Sequence, residues 1–104
     1  MPVVEAHPDA RAELIDAAAW YEEREPSLGA DFFDRVLRVF RGLESADVEG
    51  SPVPHVPSRL GARRVHVSRF PYQVVYVERA DVRRVVAVAH LRRRPGYWRP
   101  RIAK

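Results

Sequence analysis

Near the end of this chain five consecutive residues, Val85-Val86-Ala87-Val88-Ala89, are apolar. Side chains alternate between the two faces of a strand, so an unbroken apolar run needs cover on both sides and marks a central strand of a sheet. The requirement falls on a chain of 104 residues. That length supports a single domain, residues 1–104, built around one modest core.

The segments before the run supply cover. Val3 to Ala6 reads as a brief edge strand closed by His7-Pro8. Pro8 and Asp9 suit a first helical turn, through the fixed φ of proline and the attraction of a carboxylate to the helix N-terminus. Ala10, Leu14, Ala17, Ala18 and Tyr21 then recur at helical spacing, while Glu13, Asp16, Glu23 and Arg24 face away. This first helix ends near Glu25-Pro26, because the residue before a proline is pushed out of the helical region. After a Ser27-Leu28-Gly29 turn, a second helix from Ala30 to Ser45 places Phe32, Phe33, Val36, Phe40 and Leu43 on one stripe. So short a turn makes the two helices an antiparallel hairpin.

The proline- and glycine-bearing stretch from Asp47 to Gly61 is a connection. Three strands follow, Arg63 to Ser68, Tyr72 to Glu78 and Arg84 to Leu91, joined by hairpin-length turns into an antiparallel meander. The expected fold is α+β, with an N-terminal strand and an antiparallel helical hairpin packed on one face of a small, mainly antiparallel twisted β-sheet. Val65 and Val67 should face the helices. Arg64, His66 and Ser68 should then lie on a second, open face lined by basic and polar groups.

Cysteine is absent, which excludes disulfides and thiolate chemistry, and His7, His55, His66 and His90 do not stand at metal-ligand spacing. No metal or cofactor is expected. No segment has the apolar length to cross a bilayer and the N-terminus lacks a secretory pattern, so the expectation is a soluble, cytoplasmic protein with no membrane partner. Charge is split along the chain. Residues 1–58 hold 5 basic and 12 acidic side chains, whereas residues 59–104 hold 13 basic and 2 acidic ones. A basic half of this kind suits a surface that meets phosphates or an acidic protein partner.

The stretch HLRRRPGYWR, residues 90 to 99, concentrates that charge. Arg92, Arg93 and Arg94 offer paired donors to phosphates or carboxylates, although consecutive residues of an extended chain cannot all face one way. Tyr97 and Trp98 either present planes for stacking bases, with cation–π support from arginine, or fold back after Pro95-Gly96 to close the core. His66 titrates near neutral pH beside Arg64 and is a candidate base. His90 follows the apolar run directly and reads as a buried, backbone-bonded imidazole. Trp20 lies on the flank of the first helix, where it meets a partner helix or packs under the long loop. Tyr72, Val74 and Tyr76 share a core face, and Glu22, Glu23 and Glu25 read as a solvated helix end.

The order of strand, helical hairpin (AELIDAAAWYEEREPSLGADFFDRVLRVF), RRVHVSRFPYQVVYVE and VVAVAHLRRRPGYW resembles the RelE/ParE superfamily of bacterial toxins from type II toxin–antitoxin systems. The resemblance implies a toxin that stops growth when its antitoxin is degraded, and a hetero-oligomer with that antitoxin. Two targets stay open. RelE-like members cleave messenger RNA in the ribosome without needing a metal; ParE-like members inhibit DNA gyrase and are not nucleases. On the RelE pattern, catalysis falls to Arg64, His66, Arg92 and Tyr97, or Trp98 if the loop differs by one residue. Arg63, Arg93, Arg94 and Trp98 would bind nucleic acid or target, and Trp20 and Arg92 the antitoxin. Gln73 departs from the pattern, because RelE-like nucleases carry arginine there and an amide cannot compensate phosphorane charge as a guanidinium does.

Overall fold

The apolar run forms the middle of strand β5 (Val82–His90). The computed structural model describes residues 1–102. Its five strands, β1 (Val3–Ala6), β2 (Ser51–Pro52), β3 (Ala62–His66), β4 (Tyr72–Arg79) and β5, lie in the order β1-β5-β4-β3-β2. β1 runs parallel to β5, and every other pairing is antiparallel. The expected α+β architecture is therefore present. β2 is an addition, two residues within the long connection, too short to leave an alternating pattern.

A bulge decides how β5 divides its side chains. Val75 pairs with Ala87 and Tyr76 with Val85, which leaves Val86 without a partner. The extra residue breaks the alternation. Val85 and Val88 consequently face the helices, whereas Val86, Ala87 and Ala89 all face the other way.

The helices α1 (Pro8–Arg24) and α2 (Leu28–Ser45) cover the first face. α1 buries Ala10, Leu14 and Ala17, and the His7 imidazole caps it by accepting the Asp9 N–H at 3.0 Å. It stops at Glu25, which is extended before Pro26. α2 starts at Leu28, two residues earlier than the sequence suggests, because Ser27 turns the chain with φ 75. Glu22 is exposed, as a solvated helix end requires, yet it also holds the turn. Its carboxylate accepts the Ser27 N–H at 2.8 Å and the Gly29 N–H at 3.0 Å, satisfying donors that a helix start leaves free. Those bonds, the Ser27 one foremost, hold its pKa below the ordinary carboxylate value. Gly29 lets the hairpin close, since a Cβ there would strike the Ala18 carbonyl.

The buried stripe of α2 is Phe32, Val36, Val39 and Leu43. Phe33 was expected on it, yet stands 37% exposed, because the next residue is rotated by about 100° around a helix. Under the hairpin, Tyr21, Phe32, Phe70 and Tyr72 form an aromatic cluster with ring centroids 4.9–5.2 Å apart in its closest pairs. Tyr76 is fully buried, and its hydroxyl accepts the Gly50 N–H at 2.9 Å. Arg83, only 4% exposed, donates to the carbonyls of Leu43 and Val48 and pairs with Glu49, tying the end of α2 to β5.

The second face is not open. Trp98 packs there with Val75, Val77, Val86, Ala87 and Ala89, supported by Val53, Val56, Tyr97 and Ile102. Leaving this apolar surface in water would forgo about 1.5–3 kcal/mol for each large side chain. The edge of β5 is closed by side chains as well. β1 ends opposite Val85, and beyond it Glu13 accepts the Val88 N–H while Arg101 donates to the Val86 carbonyl, each at 3.0 Å. No described helix is long and apolar enough to cross a membrane.

Candidate functional site

Strand register gathers the polar residues of the second face. His66 lies opposite Gln73 and Gln73 opposite Ala89, with Arg64 two residues along β3 from His66. The Arg64 guanidinium donates to the Gln73 side-chain oxygen at 3.4 Å. After β5 the chain turns tightly, the Arg93 N–H bonding the His90 carbonyl at 3.0 Å, and Gly96 (φ 78) sends it back across the sheet. A glycine suits that left-handed conformation. The result is a cleft of about 280 Å³ lined by His55, Arg64, Gln73, Arg93, Arg94 and Trp98, among others. A wider cleft of about 620 Å³ adjoins it at Arg94, Pro95, Gly96 and Tyr97, and Arg99 lines its far part.

Of the residues to which the resemblance assigns catalysis, Arg64 and Tyr97 line the smaller cleft, and His66 and Arg92 do not. His66 ends β3 in an exposed position, and Arg92 is exposed on the turn. The Tyr97 hydroxyl donates to Glu13 at 2.7 Å, and its ring lies 3.9 Å beneath the Arg93 guanidinium. Burial, and then the bond to Glu13, push that phenol far above its ordinary pKa. Arg101 completes the cluster, pairing with both Glu13 oxygens at 3.0 and 3.1 Å. The Tyr97 hydroxyl is thus committed to structure.

Trp98 is 2% exposed, so it offers no plane for a base, contrary to one of the two readings of the sequence. Arg63 points toward the helical side with Tyr76 and is held by the Gly50 carbonyl at 2.8 Å and Glu49 at 3.7 Å. It is therefore not part of the cleft. His90 is half-buried; its Nδ1 accepts the Arg92 N–H at 3.0 Å, and its ring meets Tyr72 edge-on. Arg94 stands exposed at the junction of the two clefts.

Trp20 lies elsewhere. It is 52% exposed, carries the Arg24 guanidinium 3.5 Å above its ring, and borders a cleft of about 570 Å³ between α1 and the end of β5. Two apolar grooves, one on the hairpin and one between the hairpin and β1, share Phe33 and Leu37. Sequence reasoning missed His55, Glu13, Arg99 and Arg101. The Pro95-Gly96 turn was the one local signal that the chain doubles back. Among the described residues no three His, Asp or Glu side chains gather as a metal site would require.

The chain matches the family model for the ParE toxin of the type II toxin-antitoxin system, parDE, over residues 4–95. Its fold is similar to that of a solved structure, the chromosomal ParDE TA system from P. aeruginosa, with a TM-score of 0.73 at 16% identity, covering 86% of this chain and 96% of that one. No curated protein sequence matches it. The β1–hairpin–meander order and a family match that runs from β1 to the turn after β5 make this chain a member of the ParE family of type II toxins.

Proposed function

We propose that this protein arrests growth by binding DNA gyrase, without cleaving RNA, and that a cognate antitoxin neutralises it in a hetero-oligomer. The observation that carries this reading is the dispersal of the groups a nuclease needs. RNA cleavage by acid–base chemistry requires a base for the 2′-hydroxyl, an acid for the leaving 5′-oxygen and cations around one phosphate. Here His66 stands outside the cleft, the Tyr97 hydroxyl is bound to Glu13, and Gln73 supplies an amide beside Arg64. The family match supports a toxin, and this arrangement supports one that works by binding. The grooves at Phe33 and Leu37, and the cleft beside Trp20, suit an antitoxin segment that folds as it docks.

The test is to add purified, antitoxin-free protein to a cell-free translation reaction and to map new 5′ ends on the messenger by primer extension. A binding toxin leaves the messenger intact. New ends within A-site codons would instead establish ribosome-dependent cleavage and return attention to Arg64 and His66.

A further inference from the structure

Among the described residues some arginines are tied to carboxylates and others are not, and of the latter Arg11, Arg24, Arg41, Arg59, Arg69, Arg79 and Arg92 stand apart from the two clefts of the second face. Arg35, Arg38, Arg63, Arg83, Arg84 and Arg101 make ion pairs with carboxylates. Arg64, Arg93, Arg94 and Arg99 make none among the described residues, and all four line the two adjoining clefts on the second face. No Asp or Glu lines either of these clefts, whereas carboxylates line each of the three beside the helices. Uncompensated guanidinium groups at a concave surface focus positive potential and match the geometry of phosphate oxygens.

What this face lacks narrows the ligand further. Proteins that hold single strands stack bases on exposed aromatic rings. Here Trp98 is 2% exposed, and the Tyr97 ring is already covered by Arg93 at 3.9 Å. Guanidinium groups without a free ring suit nucleic acid whose bases are already paired. We propose that the arginine face binds the phosphate backbone of a nucleic-acid duplex, without regard to base sequence, as an activity separate from inhibition of a protein target. DNA and RNA duplexes share this chemistry. The proposal does not depend on which target the toxin inhibits.

Four phosphate contacts predict a log–log dependence of affinity on salt with a slope of about −3.6 for duplex DNA. Fluorescence anisotropy with the full chain, using labelled duplex DNA, duplex RNA and single strands, reads both affinity and slope. Duplexes of unrelated sequence should bind equally, and more tightly than single strands; any difference between the DNA and RNA duplexes names the source of the phosphates. Arg94→Ala and Arg99→Ala should each weaken all duplexes uniformly and reduce the slope by about 1. Arg41→Ala, on the exposed side of α2, should change neither. Circular dichroism melts establish that each variant is folded. Absence of binding at low salt, preference for single strands, or a slope that survives both cleft substitutions would overturn the proposal.

Discussion

Replacing Glu13 by alanine should loosen the whole C-terminal segment. One carboxylate accepts from the Val88 N–H at 3.0 Å, the Tyr97 hydroxyl at 2.7 Å and the two Arg101 nitrogens at 3.0 and 3.1 Å. The Glu13 and Arg101 side chains are 18% and 16% exposed, and among the described residues Asp9 at 3.7 Å is the only other carboxylate paired with Arg101. Breaking a buried pair by removing one partner costs about 3–5 kcal/mol. Residual exposure and Asp9 place Glu13→Ala at the lower end, about 3 kcal/mol, which lowers the melting temperature by roughly 10–20 °C in a domain of this size. Tyr97→Phe removes a single bond to a carboxylate and should cost about 1.5–3 kcal/mol. Combined with Glu13→Ala it should add little, because both variants remove the same contact. Urea unfolding read by tryptophan fluorescence in a Trp20→Phe background makes buried Trp98 the reporter. A loss below about 0.5 kcal/mol, the worth of a solvated surface pair, would refute the role assigned to Glu13.

Gly29→Ala should destabilise by about 1–3 kcal/mol, since the new methyl group meets the Ala18 carbonyl where the helices cross; a melting temperature equal to the parent would show that the hairpin has slack. Trp98→Ala should cost about 3–5 kcal/mol and increase binding of a hydrophobic dye, as the second face of the sheet loses its cover. Glu22 has a folded pKa below its ordinary value, so its contribution is present above the carboxylate range and is lost as pH falls through the folded value. Glu22→Gln should therefore lower stability at neutral pH and flatten the acid limb of a stability–pH curve; an unchanged limb would mean that the α2 cap does not depend on its charge.

The helical hairpin and the meander are legible because local rules decide them. Apolar spacing fixes the buried side of α1, Pro26 stops it, and alternation fixes the face of Val65 and Val67. Within α2 the expected stripe errs at two positions: adjacent Phe32 and Phe33 both look apolar but only Phe32 faces the sheet, and Val39, not expected there, is buried. The second face posed a conflict. The run at 85–89 demands cover, while Arg64 and His66, two strands away on β3, suggest an open surface. The bulge at Val86 and the return of the chain after Gly96 resolve it; the bulge depends on a pairing that no local pattern records, and Pro95-Gly96 signals the turn but not where the chain then packs. The contact of Glu13 with Arg101 likewise joins distant segments. Arg64 was found from its strand position, whereas His55 became a cleft residue only once the long connection folded over β3 and β4.

The proposed action on gyrase by binding is tested by an assay of the purified enzyme. Relaxed plasmid, gyrase and ATP would be incubated with rising amounts of the protein, and supercoiled product measured on a gel. Inhibition should saturate with protein concentration, persist in His66→Ala and Tyr97→Phe variants that remain folded, and be abolished by prior addition of the antitoxin. Full supercoiling activity at protein concentrations that arrest growth when reached in cells would contradict the proposed action.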